Sequence, residues 1–138
     1  MHPPTDSLSL RVLVVEDELI TAESLTLFLR SWGHEVNLAC NGPDALSMVS
    51  TFQPEVVLLD IGLPNMDGYE VSLRLRRLPG MERCLLMALT GQGYEAEVRR
   101  FKEAGLDFHF LKPVEPVLLR EVHSSAGKFR REQGQLIS

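Results

Sequence analysis

The chain has 138 residues, 44% hydrophobic and 24% charged, a size and composition that describe one domain with its own core and leave no room for a second. A net charge of -5 argues against a nucleic-acid surface, which needs a clustered excess of Lys and Arg; the short run Lys128, Arg130, Arg131 reads as a solvated helix end. Two cysteines without paired spacing, an amino terminus (MHPPTDSLSL) unlike a signal peptide, and no apolar run long enough to span a membrane lead to the expectation of a cytoplasmic chain with reduced thiols.

Short aliphatic runs alternate with longer segments of helical period, the pattern of a parallel sheet with crossover helices. The first predicted strand, Val12–Val15, runs into Glu16 and Asp17. A helix over Leu19–Trp32 follows, with Ala22, Leu25 and Leu29 at helical spacing and Gly33 as its stop. The second pair is a strand over Glu35–Ala39 and a helix over Asp44–Phe52. The third strand, Val56–Leu59, runs into Asp60 and precedes a helix over Tyr69–Leu78. The fourth, Cys84–Leu89, meets Thr90, and its helix over Glu95–Ala104 is stopped by Gly105. The fifth, Phe108–Leu111, meets Lys112, and Pro116 suits the first turn of a last helix over Pro116–Arg131. The expected organisation is a flexible segment at 1–9, one domain over 10–131 and a flexible tail at 132–138.

Four of the five aliphatic runs stop on a polar group at the carboxyl side, where open parallel α/β sheets bind their ligands. The second, ending LAC, adds nothing polar, as expected of an edge strand beyond the reversal of strand order. Each residue alone has a plain structural reading: Asp17 as cap of the first helix, Thr90 as cap of the fourth, Lys112 as a surface lysine. Four such accidents at equivalent positions are improbable together. Burying a carboxylate without a partner is costly, and two carboxylates about 4 Å apart repel by about 4 kcal/mol at an effective dielectric near 20. Glu16, Asp17 and Asp60 therefore call for a cation. Hard oxygen ligands without His or Cys favour Mg2+, and one divalent ion plus Lys112 neutralises the three negative charges. A neutral site of this kind admits an anionic phosphoryl donor. One carboxylate then serves as nucleophile and forms an acyl phosphate, with Lys112, Thr90 and backbone N–H groups stabilising the phosphoryl oxygens.

Over essentially residues 10 to 125, the runs VVEDE, LLDIGLPNMDGYE, ALTG and AGLDFHFLKPV, in that order and spacing, closely resemble the receiver domain of two-component response regulators. The resemblance implies a flavodoxin-like (βα)5 doubly wound parallel sheet with strand order 2-1-3-4-5. It implies Asp60 as phosphoacceptor, Asp17 as principal Mg2+ ligand, Glu16 acting through water, and the Gly62 carbonyl completing the metal site. Thr90 would follow the phosphoryl group and Lys112 would pair with it. Pro64 and Gly68 match the loop after the acceptor strand, and the Lys112–Pro113 peptide bond would be cis. His109 stands where the family usually has a Tyr or Phe that swings inward when the threonine moves; it is either a switch with a smaller, pH-dependent ring or a half-buried strand histidine. Gly62 and Gln92 occupy positions that modulate acyl-phosphate hydrolysis in the family.

The run GQGYEA, Gly91 to Ala96, fits a dinucleotide-binding pattern but follows the fourth strand instead of opening the first βαβ unit, and has Lys112 where an acidic ribose ligand should stand. The histidines His2, His34, His109 and His123 lack metal-ligand spacing, and Met48, Met66, Met81 and Met87 read as packing. The expected function is a switch that catalyses only its own phosphorylation and dephosphorylation. Its donor is a histidine kinase or histidine phosphotransfer protein, and its output passes through protein contacts or phosphorelay to a partner the residues do not name. With few residues after the fifth helix, no DNA-binding effector is expected in this chain. It is expected as a monomer or a phosphorylation-dependent dimer, of the free-standing or hybrid-kinase-associated type. The helix start at Glu18, Leu19 and Ile20 and the loop Pro113 to Pro116 form the expected docking rim, although Leu19 and Ile20 read equally as first-turn core. Two other readings compete. A Mg2+-dependent phosphatase or phosphotransferase with an aspartyl nucleophile is opposed by Gly62, where a second Asp would be needed. A non-phosphorylated scaffold is opposed by the complete set Asp17, Asp60, Thr90 and Lys112.

Overall fold

The computed structural model describes residues 9–63, 66–91 and 98–112. Five strands, β1 (Arg11–Val15), β2 (Glu35–Ala39), β3 (Val56–Asp60), β4 (Leu85–Thr90) and β5 (Phe108–Leu111), form one parallel sheet in the order β2-β1-β3-β4-β5. Between them lie α1 (Leu19–Ser31), α2 (Gly42–Phe52), α3 (Gly68–Arg77) and α4 (Val98–Glu103). The predicted last helix, Pro116–Arg131, the first residues of the predicted fourth helix, and both predicted flexible ends lie wholly or mostly outside the described residues.

Continuous aliphatic strands mean that both faces of the sheet are covered. Every residue of β3 and β4 is buried, and alternate residues feed two cores. Leu13, Val15, Val57, Leu59, Leu86 and Ala88 pack with α2, α3 and α4, while Val12, Val14, Leu58, Met87 and Leu89 pack with Leu25 and Leu29 of α1. Full burial of each such Val, Leu or Met side chain stabilises the fold by about 1.5–3 kcal/mol. Met81 and Met87 are core residues, and Met48 and Met66 pack against the core, as expected.

Element ends differ from expectation where caps decide them. Glu18, not Asp17, caps α1, its carboxylate accepting from the Ile20 and Thr21 N–H groups. Asn41 caps α2 through the Asp44 N–H, so that helix starts at Gly42, and Asp67 caps α3. Cys84 belongs to a turn, its N–H donating to Met81 O, and β4 starts at Leu85, whose N–H bonds Glu55 O. At the end of α1 the Gly33 N–H donates to Arg30 O and the His34 N–H to Leu29 O; Gly33 takes φ +91, which closes the helix where predicted.

Candidate functional site

Strand order reverses between β1 and β3, and the carboxyl ends of these neighbours carry Glu16, Asp17 and Asp60. One carboxylate oxygen from each lies within 4.8 Å of the others. Glu16 and Asp60 are buried, while Asp17 is exposed at the mouth. Lys112 arrives from the end of β5, its N–H donating to Thr90 O at 2.7 Å, and its ammonium lies 2.7 Å from Glu16 Oε1 and 3.3 Å from Asp60 Oδ2. This rules out Lys112 as a mere surface lysine.

Glu16 is the most enclosed member, its side chain wholly buried. Its Oε2 accepts the Glu18 N–H at 3.1 Å, so the acidic cluster and the cap of α1 are joined. At Oε1 the Lys112 approach is that of an ion pair more than an aligned hydrogen bond. Burial pushes the Glu16 carboxyl up, the Lys112 ammonium and the Glu18 N–H oppose that rise, the Asp60 charge adds to it, and the net direction is upward. Burial pulls the Lys112 ammonium down, but Glu16 and Asp60 together outweigh it, and its net direction is also upward.

The Asp60 carboxylate is oriented from the following turn, where the Gly62 N–H donates to Oδ1 at 3.0 Å. A Cβ on Gly62 would lie 3.7 Å from that oxygen, so glycine leaves the acceptor side open. Gly68 has a different reason: a Cβ there would stand 2.6 Å from Ile61 Cα and 2.9 Å from Asp60 O. Only glycine allows α3 to start so close to the strand that ends on Asp60.

Thr90 is buried at the end of β4, its hydroxyl donating to Phe110 O at 3.3 Å. His109 is half-buried, registered opposite Ala88, with its ring centroid 4.9 Å from that of Phe101; its Nδ1 is buried without a hydrogen-bond partner among the described residues. The neighbouring Phe108 and Phe110 pack on the opposite core. Leu19 and Ile20 are not core: they are 60% and 74% exposed beside the mouth. Pro64, Gln92 and Pro113, with the peptide bond expected to be cis, lie outside the described residues. Glu18 as the link between Glu16 and α1 was not legible in the sequence, because Glu is an uncommon N-cap and Glu-x-x-Thr reverses the usual capping box.

The sequence matches the response regulator receiver domain family over residues 12–123, and the chain belongs to that family. The DNA-binding response regulator MtrA of Mycobacterium bovis is 36% identical over 111 residues, 80% of this chain but 47% of its own length. The chain thus spans about half of that relative. A putative response regulator from Chloroflexus aurantiacus, known by crystal structure, is 32% identical with a TM-score of 0.79, covering 86% of this chain and 98% of its own. The receiver domain of a sensor histidine kinase from Pseudomonas aeruginosa, with a magnesium ion coordinated in its active site cleft, is 25% identical with a TM-score of 0.78, covering 87% of this chain and 99% of its own. The sheet order and these neighbours make the fold flavodoxin-like.

Proposed function

We propose that the chain is a phosphoacceptor switch that takes a phosphoryl group on Asp60 from a histidine kinase or histidine phosphotransfer protein, with Mg2+. The observation that carries the reading is the convergence of Glu16, Asp17, Asp60 and Lys112 from three different strand ends onto one mouth, within a chain of the receiver family. The residues fit a hard divalent ion: three carboxylates against one ammonium leave two negative charges, and every donor is oxygen. Asp17, Asp60 and the Gly62 carbonyl would hold it, with Glu16 acting through water. When bound, the ion would offset charge on the phosphoryl oxygens and on the acceptor.

In the transfer, an Asp60 carboxylate oxygen forms a bond to phosphorus while the phosphorus–nitrogen bond to the donor imidazole breaks, returning the electron pair to that ring. Lys112, already beside Asp60, pairs with the phosphoryl group, and Thr90 turns from Phe110 O toward it. Water attack on the acyl phosphate returns Asp60 and inorganic phosphate, and the open side at Gly62 gives that water access. His109 is the coupled ring on β5: its partnerless Nδ1 and its contact with α4 suit a side chain that changes position. The exposed Leu19, Ile20 and Leu27 of α1, the last 68% exposed, offer an apolar surface for the donor's helices next to the mouth. The single domain spans residues 10–131, acts in the cytoplasm and delivers its output through protein contacts, phosphorelay or phosphorylation-dependent dimerisation.

The test is intact-protein mass after incubation with acetyl phosphate and Mg2+, beside a chelated control and Asp60→Asn. A metal-dependent gain of one phosphoryl group, absent from the variant, is expected. If the folded wild type gains nothing and also fails to bind beryllofluoride, a scaffold is the correct reading. By backbone amide NMR with beryllofluoride and Mg2+, His109→Ala should still accept the mimic but lose the accompanying change in α4 amide resonances; an unaltered change removes the switch role.

A further inference from the structure

Strand β2 stands at one end of the strand order and, among the described residues, pairs with β1 alone. Its backbone groups alternate in direction. The Glu35 N–H donates to Leu10 O and Ala39 O accepts the Glu16 N–H, so Glu35, Asn37 and Ala39 turn their polar groups to β1, while Val36 and Leu38 turn theirs to the open edge. Arg30, in the last turn of α1, closes on that edge, its Nη2 donating to Val36 O at 2.9 Å. The connection between α1 and β2 holds Arg30 there. Gly33 takes φ +91, its carbonyl accepts the Ser9 hydroxyl at 2.9 Å, and the Leu10 N–H donates to His34 Nδ1 at 3.1 Å.

An open strand edge is a template for another strand, and edges are commonly protected by Lys or Pro in the strand itself. The run EVNLA has neither. A second copy fits this edge without conflict. Two copies joined edge to edge about a two-fold axis must run antiparallel. With the axis at Asn37, Val36 of one copy meets Leu38 of the other, and each such pair exchanges N–H···O bonds in both directions. The exposed Asn37 then faces its own counterpart, and an amide carries the donor and the acceptor that such a pair needs. Glu35 meets Ala39, so no like charges stand opposite each other. On the other face, Val36 and Leu38 both pack toward α1, so apolar meets apolar.

We propose that the open edge of β2 is a self-pairing surface for a second copy of this chain and that Arg30 holds it shut. Every pair in this register needs Val36 O as an acceptor, and the Arg30 guanidinium occupies that oxygen in each copy. The guanidinium also stands where an incoming strand would lie, about 4.8 Å from β2. Pairing therefore requires Arg30 to swing away in both copies, giving up a charge-assisted hydrogen bond for a neutral one. The contact is autoinhibitory. It lies near the amino end of the sheet, whereas Asp60 lies at the carboxyl end, so the inference goes beyond the phosphoacceptor reading and does not rest on it.

The experiment is sedimentation velocity on the whole chain, with chelator and without a phosphoryl donor, over a concentration series of wild type, Arg30→Met and Arg30→Lys. Met keeps an unbranched stem without the charge or the planar fork. The dimer dissociation constant should fall about tenfold or more in Arg30→Met, with Arg30→Lys between. Cross-linking reads the register. In a Cys40→Ser background, which removes the exposed thiol, Asn37→Cys should form an intermolecular disulfide under mild oxidation when Arg30→Met is present, and far less of it when Arg30 is intact. Antiparallel partners at a position of this kind stand about 4.5 Å apart at Cα, within disulfide reach. If Arg30→Met fails to fold, Arg30→Lys carries the same comparison. Equal self-association in the folded proteins overturns the gate. A tighter dimer whose Asn37→Cys form does not cross-link assigns the contact to another surface and overturns the edge.

Discussion

Glu16 has each carboxylate oxygen engaged inside the protein, one with the Glu18 N–H and one beside the Lys112 ammonium, and still its pKa moves upward because burial outweighs both. A carboxyl whose pKa is raised by folding binds its proton more tightly in the native state than in the unfolded chain. Stability then falls as pH rises from the ordinary value of 4.5 through the folded value. Asp107 is raised from 3.8 by burial, with the Leu86 N–H and Arg76 opposing, and acts in the same direction. The metal-free protein is therefore expected to be more stable at pH about 5 than at pH 7, with a smaller difference in Glu16→Gln. Urea midpoints at the two pH values check this; an unchanged difference in the variant would assign the slope elsewhere. Residues 16 and 17 were legible as a pair from sequence, but which would be enclosed and which exposed was not. That depends on Lys112, ninety-odd positions away, arriving over Glu16.

At the scale of elements, Arg76 near the end of α3 joins two connections, the turn that leads into β4 and the loop between α4 and β5. Nη1 donates to Met81 O, Glu82 O and Cys84 O at 3.0, 3.2 and 2.8 Å, and Nη2 to Gly105 O and to Asp107 Oδ2. Asp107 in turn accepts the Leu86 N–H at 3.0 Å, fixing the entry to β4. Removing the guanidinium takes a donor from several carbonyls and the counter-charge from a largely buried carboxylate, which keeps the Leu86 N–H. Arg76→Ala should cost about 3–5 kcal/mol of stability, and Arg76→Lys, a point charge without the fork, should recover only part. Chemical denaturation measures both, and a loss under 1 kcal/mol in the alanine variant would show that water replaces the fork. Sequence periodicity located the helix but did not single out Arg76, which stands with Arg74 and Arg77 in its last turn. Strand ends were read to within a residue or so because burial of Val and Leu on both faces is written in the sequence. Helix starts were missed where a side-chain cap, as at Asn41, moved the boundary past the apolar pattern.

For the whole molecule, the three carboxylates hold their positions in the folded chain alone, so a cation that binds them stabilises the fold by mass action. At about one hundred times its dissociation constant, Mg2+ should add about 2.7 kcal/mol to the free energy of unfolding, and Asp17→Asn should remove most of the gain. Thermal melts with and without the ion test it; an equal rise in the variant would mean that the ion acts elsewhere. The sequence by itself determined the parallel five-stranded sheet, the polar groups at its strand ends and the family, because strand burial and the runs VVEDE, LLDIGLPNMDGYE and ALTG are local patterns. Tertiary structure alone decided that Lys112 pairs with Glu16 more closely than with Asp60, that Gly68 must lack a side chain, and that Arg100 grips α3. These depend on distances between groups far apart in the chain, and such distances exist only once the sheet order has brought the strand ends and helices together.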